Sequence, residues 1–168
     1  YKTLNKDNPK LNCRLKEFKG YSPRRIILDN KLKTNINSFI VKTAKKSNTI
    51  IFYNEANNSQ ILSFKKKGIN LISSKIDSKG RFDIKTLLKK LYKLNCRNLL
   101  VEGGDELTNY LLKNRIYNKF YLYESNKKLS IKSEFLNFNS LDLLKQKYKK
   151  KINIKLDLGK NKITMYKN

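Results

Sequence analysis

With 168 residues the chain is long enough for one hydrophobic core, and its 39 lysines and arginines against 13 acids give a net charge of +26. It contains no histidine, which excludes histidine acid–base catalysis, histidine metal ligation and Ser–His dyads together. Cys13 and Cys96 stand in no metal-ligand spacing and suit a reducing, cytoplasmic setting, and no apolar run approaches the roughly 20 residues of a membrane span.

Tyr1–Leu15 reads as a loop, with a turn signal at Asp7-Asn8-Pro9 and Arg14 just past it. Ile26, Ile27 and Leu28 make Arg24–Asp29 a buried strand that ends in Asp29-Asn30, and Thr49–Tyr53 is a second strand. Ser59–Lys67 is helical, with Ile61, Leu62 and Phe64 apolar and Gly68 as its stop. Ile69–Ile72 is a third strand, and Asp77–Gly80 is a polar turn. Asp83 caps a helix that runs to about Leu94, with Ile84, Leu87, Leu88 and Leu91 at i, i+3, i+4 and i+7.

The segment Asn98–Leu112 organises the rest of the chain. Leu99–Val101 has the composition of a buried strand, Glu102 follows, and Gly103-Gly104 turns the chain into an amphipathic helix through Leu107, Leu111 and Leu112. Glycines here either simply turn the chain or let a ligand approach the backbone, and free N–H groups at a helix start favour an anion such as a phosphate. Phe120–Tyr123 is a further strand, and Leu141–Tyr148 is a short helix with Ser140 as its cap. Ile152–Leu158 alternates, turns at Gly159 and returns through Ile163–Tyr166 as an antiparallel hairpin. Strands alternating with helices predict an α/β fold: a mostly parallel mixed sheet with helices on both faces and a C-terminal antiparallel hairpin. No repeat or linker interrupts the pattern, so residues 1–168 read as a single domain.

The positive charge invites a nucleic-acid partner. The lysines are nevertheless spread along the whole chain, and runs such as Lys65–Lys67 and Lys149–Lys151 adjoin helix ends or strand starts, where cations are ordinary. No aromatic-bearing strand motif or zinc finger accompanies them. Nucleic acid is not the expected partner, and a phosphorylated small substrate suits the charge.

Four segments fall in a recognisable order. Thr3 to Arg14 fits T-x-x-x-D-[DN]-P-x-L-x-x-R, Asp29-Asn30 closes an apolar strand, Gly68–Leu71 precedes the Asp83–Leu88 helix start, and Val101–Leu107 fits V-E-G-[GA]-x-x-L. Together they resemble the reductase domain of the riboflavin-biosynthesis bifunctional deaminase–reductase family. The resemblance implies a dihydrofolate-reductase-like fold. The implied activity is NADPH-dependent reduction of 5-amino-6-(5-phosphoribosylamino)uracil to its ribitylamino product. By matching position, Thr3, Asp7, Asn30, Gly103, Gly104, Asp105, Glu106, Leu107 and Thr108 would hold NADPH, with the side chain of Asp105 pointing away from the phosphates. Leu11, Arg14 and Glu102 would contact substrate, Arg14 clamping its phosphate and Glu102 accepting hydrogen bonds from hydroxyls or ring nitrogens. No catalytic acid or base is singled out, since a hydride transfer asks the protein mainly for position and electrostatics.

The resemblance also implies a homodimer, with Tyr117–Tyr123 near its interface, and a deaminase domain upstream in the full gene product. The H-x-E and P-C-x-x-C zinc motifs of a deaminase are absent from this chain. The family domain opens with a strand and a helix before the Thr3 segment, so the expectation is a reductase domain lacking those elements, with weak or no activity alone. Glu124–Leu129 lacks the Pro and Gly that the family carries at that point. The competing reading is a non-catalytic basic binding module for RNA or a partner protein.

Overall fold

The computed structural model describes residues 1–18, 21–45, 48–126, 140–148, 150–155, 159 and 161–168. The segments Tyr1–Leu99 and Leu100–Asn168 are two compact units. The last three residues of the Glu124–Leu129 departure, Lys149, and residues 156–158 of the hairpin lie outside the described residues.

In the first unit, β2 (Thr49–Tyr53) lies between β1 (Arg25–Leu28) and β3 (Asn70–Ser73) in a parallel sheet. Ile51 pairs in register with Ile27 and with Leu71. A central parallel strand is covered on both faces and so reads as a continuous apolar run, here Ile50-Ile51-Phe52. Alternation sends Ile51 to one face, where it packs with Leu4, Ile40, Val41 and Phe64. Those residues come from α1 (Lys2–Asp7), α2 (Phe39–Lys42) and α3 (Asn58–Lys66). Ile50 and Phe52 face the other way, onto Leu87 and Leu91 of α4 (Ile84–Lys93). Helices therefore cover both faces of the parallel sheet, as the alternating pattern implies.

Local signals set the helix ends. Asn57 and Gln60 form a reciprocal capping box at the start of α3. Gly68 ends it at φ 81, where an added Cβ would come within 2.5 Å of Lys45 Cγ. Asp83 Oδ1 accepts from Lys85 N at 3.0 Å and Oδ2 accepts from the Thr86 hydroxyl at 2.6 Å, which starts α4.

Two helices depart from expectation. Residues 2–7, read as loop, are helical, and Asn8 closes them at φ 42 before Pro9. The helix has a single buried anchor, Leu4, so it carries no periodicity to detect. The four-residue α2 is likewise too short to signal itself, and Ser38 caps it.

The second unit holds α5 (Asp105–Lys113), β4 (Lys119–Glu124), α6 (Ser140–Lys147), β5 (Lys151–Ile154) and β6 (Lys162–Lys167). Its antiparallel sheet has the order β4-β6-β5, and Gly159 turns the hairpin at φ 64. Leu112, Leu144, Tyr148 and Tyr166 form its core, with Tyr117, Phe120 and Leu122 against them. Parallel strands and hairpin are both present, as two separately hydrogen-bonded three-stranded sheets.

Leu99–Val101 is not a strand. It has no regular secondary structure and no ladder partner among the described residues, and Leu99, Leu100 and Val101 are 40%, 81% and 47% exposed. An apolar run becomes a parallel strand only when a neighbouring strand takes its N–H and C=O groups. No described strand does so. Among the described residues no helix is long and apolar enough to cross a membrane.

Candidate functional site

In the first unit the candidate residues gather around α1 and the carboxyl end of β1. Asn5 fastens α1 beside the loop after β1: its Nδ2 donates to Lys33 O and its Oδ1 accepts from Asn35 N, both at 2.8 Å. Asn8 Oδ1 accepts from Phe39 N at 2.8 Å, and Tyr1 N donates to Leu28 O at 3.1 Å. Thr3 and Asp7 lie four residues apart on this anchored helix, so they share a face. Both are exposed and neither side chain has a hydrogen-bond partner among the described residues.

Leu11 follows at φ 44, in the left-handed region that costs a non-glycine residue roughly 1–2 kcal/mol. It packs partly buried against the Ile51 side of the core. Arg14 is exposed and forms no ion pair among the described residues.

Asn30 caps the end of β1. Its backbone oxygen accepts from both Asn54 N and Glu55 N at 2.9 Å, and its Nδ2 donates to Gly80 O at 3.3 Å. That bond draws the Asp77–Gly80 turn to the strand end. Just before it, Asp29 is 1% exposed and accepts from Thr34 N at 2.6 Å and the Thr34 hydroxyl at 2.7 Å, both through Oδ2. Its Oδ1 has no partner among the described residues. At the end of β3, Lys90 Nζ donates to Ser73 O at 2.9 Å and Ser74 Oγ at 2.8 Å. Asn5, Thr34 and Lys90 are positioning residues that carried no motif signal of their own role, and Asp29 positions Thr34 with them. Only Asp29, as the polar stop of an apolar run, was visible beforehand. In open α/β sheets, ligands bind outside the carboxyl ends of the strands, where these groups are gathered.

In the second unit Glu102 is exposed, and Gly103 meets Leu107 closely enough that an added Cβ would lie 2.8 Å from Leu107 Cδ2. Gly104 is the N-cap of α5 at φ −68 and ψ 177, and no side chain caps the helix. Its first-turn N–H groups thus point away from the helix without a side-chain acceptor. Thr108 N donates to Gly104 O at 3.1 Å, and its hydroxyl to Gly103 O at 3.4 Å. Asp105 is turned aside: its Oδ2 accepts from Asn109 Nδ2 at 3.1 Å and its Oδ1 from Ser140 Oγ at 3.4 Å. Ser140 therefore joins α6 to α5, and also donates to Asn109 Oδ1 at 2.7 Å. Glu106 is exposed and Leu107 half-buried. Each unit thus brings its own candidates together: Thr3, Asp7, Leu11 and Asn30 in one, Glu102 through Thr108 in the other. Among the described residues no group of three or more cysteines and acids is placed to hold a metal ion.

A parallel sheet covered by helices on both faces, with a separate antiparallel sheet, defines an α/β class whose fold is shared by a pyrimidine reductase-like protein from Corynebacterium diphtheriae. That crystal structure matches with a TM-score of 0.71, covering 99% of this chain and 72% of its own at 14% identity, which bears on the fold. The RibD C-terminal domain family model matches residues 1–127, and the chain belongs to that family. The riboflavin biosynthesis protein RibD of Actinobacillus pleuropneumoniae is 34% identical over 121 residues, 72% of this chain and 31% of that protein. Its namesake in Aquifex aeolicus is 29% identical over 121 residues, 72% of this chain and 32% of that protein. The chain spans about a third of the length of these relatives.

Proposed function

We propose that this chain is a reductase of riboflavin biosynthesis that reduces 5-amino-6-(5-phosphoribosylamino)uracil to the ribitylamino product with NADPH. The observation that carries the reading is the family match over residues 1–127, which spans every candidate residue from Thr3 to Thr108. A nicotinamide cofactor held here would supply the hydride for reduction at the sugar carbon that bears the amine, and the chain's own residues would bind and orient the two partners.

Each unit by itself offers groups suited to a part of such a cofactor. The uncapped start of α5 offers N–H groups to a diphosphate, and Asp105, engaged by Asn109 and Ser140, leaves them open. Thr3 and Asp7 have their side-chain oxygens available for a ribose or an amide. Asn30, with its amide held by Gly80, is a fixed wall at the strand end. Arg14, without an ion pair among the described residues, is available for the substrate phosphate. Glu102 takes the role of acceptor for substrate hydroxyls or ring nitrogens.

The test is equilibrium binding of NADPH and NADH to the chain at two salt concentrations, followed by turnover with the ribosylamino substrate. Preference for NADPH, weakened by salt, is expected. Negligible binding of both nucleotides beside tight, salt-sensitive RNA binding would replace this reading with a basic RNA-binding module. A homodimer is part of the proposal. Tyr121 and Tyr123 on β4 are exposed at 41% and 70%, and light scattering at moderate salt reads the mass directly.

A further inference from the structure

The second unit contains a cleft that the proposed reduction does not use. It is an open cleft of about 290 Å³, lined by Lys145, Tyr148, Lys151 and Tyr166. Chain order and register build it. Lys145 lies in the last turn of α6 and Lys151 opens β5, so the two lysines stand on either side of the junction between helix and strand. Lys151 pairs directly with Tyr166 across the antiparallel ladder, which puts both side chains on one face of the sheet. Leu144 and Tyr148 of the α6 segment pack with Tyr166 in the same core.

The two tyrosines are not equivalent. Tyr148 donates its hydroxyl to Leu112 O at 2.6 Å, so its polar end is engaged and its ring serves as wall. Tyr166 is only 6% exposed, its ring stands edge-on to Phe120 at 6.5 Å, and its hydroxyl has no partner among the described residues. Among the described residues neither Lys145 nor Lys151 forms an ion pair, and none of those that line the cleft is an acid.

We propose that this cleft is an anion site that takes inorganic phosphate or a small phosphomonoester, held by the Lys145 and Lys151 ammonium groups and the Tyr166 hydroxyl. The free polar groups of its described lining are two cationic ammonium donors and a hydroxyl that can donate beside them, a set that favours an anion with several acceptor oxygens over a cation. A phosphate presents at least three acceptor oxygens in different directions and meets three separate donors at once. The volume sits at the small end of ligand cavities, roughly 300–1,000 Å³, which favours a phosphate with a short stub over a dinucleotide. The cleft shares no residue with the Thr3–Thr108 candidates, so occupancy here is independent of the proposed reduction.

The experiment titrates the isotope-labelled full chain with inorganic phosphate at constant ionic strength, with chloride as the screening control, and follows backbone amide shifts. Saturable shifts centred on Lys151 and Tyr166 are expected with phosphate and not with chloride. The Lys145→Ala/Lys151→Ala pair should weaken that binding about tenfold or more, and Tyr166→Phe by several-fold. Lys66→Ala/Lys67→Ala, on α3 and its cap, should leave it unchanged. Tyr166→Phe removes one oxygen from a packed ring and keeps the test readable if the double lysine variant folds poorly. Linear shifts of equal size with both anions, or equal losses in the two lysine pairs, would show charge screening and overturn the proposal.

Discussion

Thr34 gives both its backbone N–H and its hydroxyl to one oxygen of Asp29, at 2.6 and 2.7 Å, inside a core where Asp29 is 1% exposed. These bonds close the loop that leaves β1 and so hold Asn30 at the strand end. Asp29→Ala strands two donors and should destabilise the chain by about 3 kcal/mol, whereas Thr34→Val removes one bond and should cost about 1 kcal/mol. Asp29→Asn keeps an acceptor for Thr34 and should fall between them. Urea titrations of the three variants supply the comparison, and equal costs would show that the paired bonds do not hold the loop.

Arg25 is a buried cation with no carboxylate partner among the described residues. Its Nε and NH2 donate to the Thr49 hydroxyl oxygen at 3.1 and 2.9 Å, NH1 to that of Thr43 at 2.8 Å and NH2 to Ile40 O at 3.0 Å. Burial lowers its pKa from the ordinary arginine value, yet a guanidinium stays charged in proteins. The charge is compensated by neutral oxygens, so the fork geometry matters more than the charge itself. Arg25→Ala should cost about 2–4 kcal/mol through lost packing and three unpaired acceptors. Arg25→Met restores volume and should cost less than Ala. Arg25→Lys keeps the charge but cannot span Thr43 and Thr49 together, so in chemical denaturation it should be less stable than Arg25→Met.

Asp83 gives the chain a pH-dependent helix start. The Thr86 hydroxyl, the largest influence, holds its carboxyl below the ordinary value of 3.8. A carboxyl with a depressed folded pKa stabilises above its unfolded value and loses that contribution as pH falls through the folded value. The expected signature is an Asp83-dependent part of the melting temperature that is constant at neutral pH and disappears on acidification below about pH 4. Asp83→Asn still caps α4 and should melt without that part, while Asp83→Ala should melt lower at neutral pH. Melting curves of the three forms from neutral pH to about pH 3 provide the measurement.

Arg14 and Glu102 separate the proposed chemistry from the fold. Both are exposed, and neither carries a contact on which folding depends. Under the proposed function Arg14→Ala and Glu102→Gln each remove a charge-assisted contact of about 1.5–3 kcal/mol, so kcat/KM should fall roughly tenfold or more. Their melting temperatures should match the parent. Parent-like kinetics in both variants of an active enzyme would remove the two residues from the site.

What was legible in the sequence follows from how local each signal is. The bounds of β2, the Asp83 cap and the Gly68 stop were readable because each rests on neighbours within a few residues. The α1 helix was not, because one buried leucine and a left-handed Asn8 leave no pattern. Asp105 is held by Asn109, whose own Oδ1 takes the Ser140 hydroxyl from 31 residues away, and the fixing of Asn30 rests on Gly80, 50 residues away. Such long-range hydrogen bonds decide which candidate oxygens remain open to a ligand, and no spacing rule encodes them. Leu99–Val101 failed for the same reason in the backbone: strand formation depends on a partner that the segment itself cannot specify.

Leu100 makes that last point measurable. Its composition and neighbours argue for a buried strand, yet it is 81% exposed and unpaired. An exposed apolar side chain contributes little to folding, so Leu100→Ser should change the stability of this chain by less than about 0.5 kcal/mol. Ile51, fully buried in the centre of β2, sets the opposite limit: Ile51→Ala should cost about 2–5 kcal/mol through lost burial and the cavity left behind. Val101→Ser, at 47% exposure, should resemble Leu100→Ser far more than Ile51→Ala. Denaturant midpoints for the three variants place the segment on this scale. A Leu100→Ser cost approaching that of Ile51→Ala would mean that Leu99–Val101 is covered in solution, as its composition implies, and that the exposed conformation is not the one the chain holds.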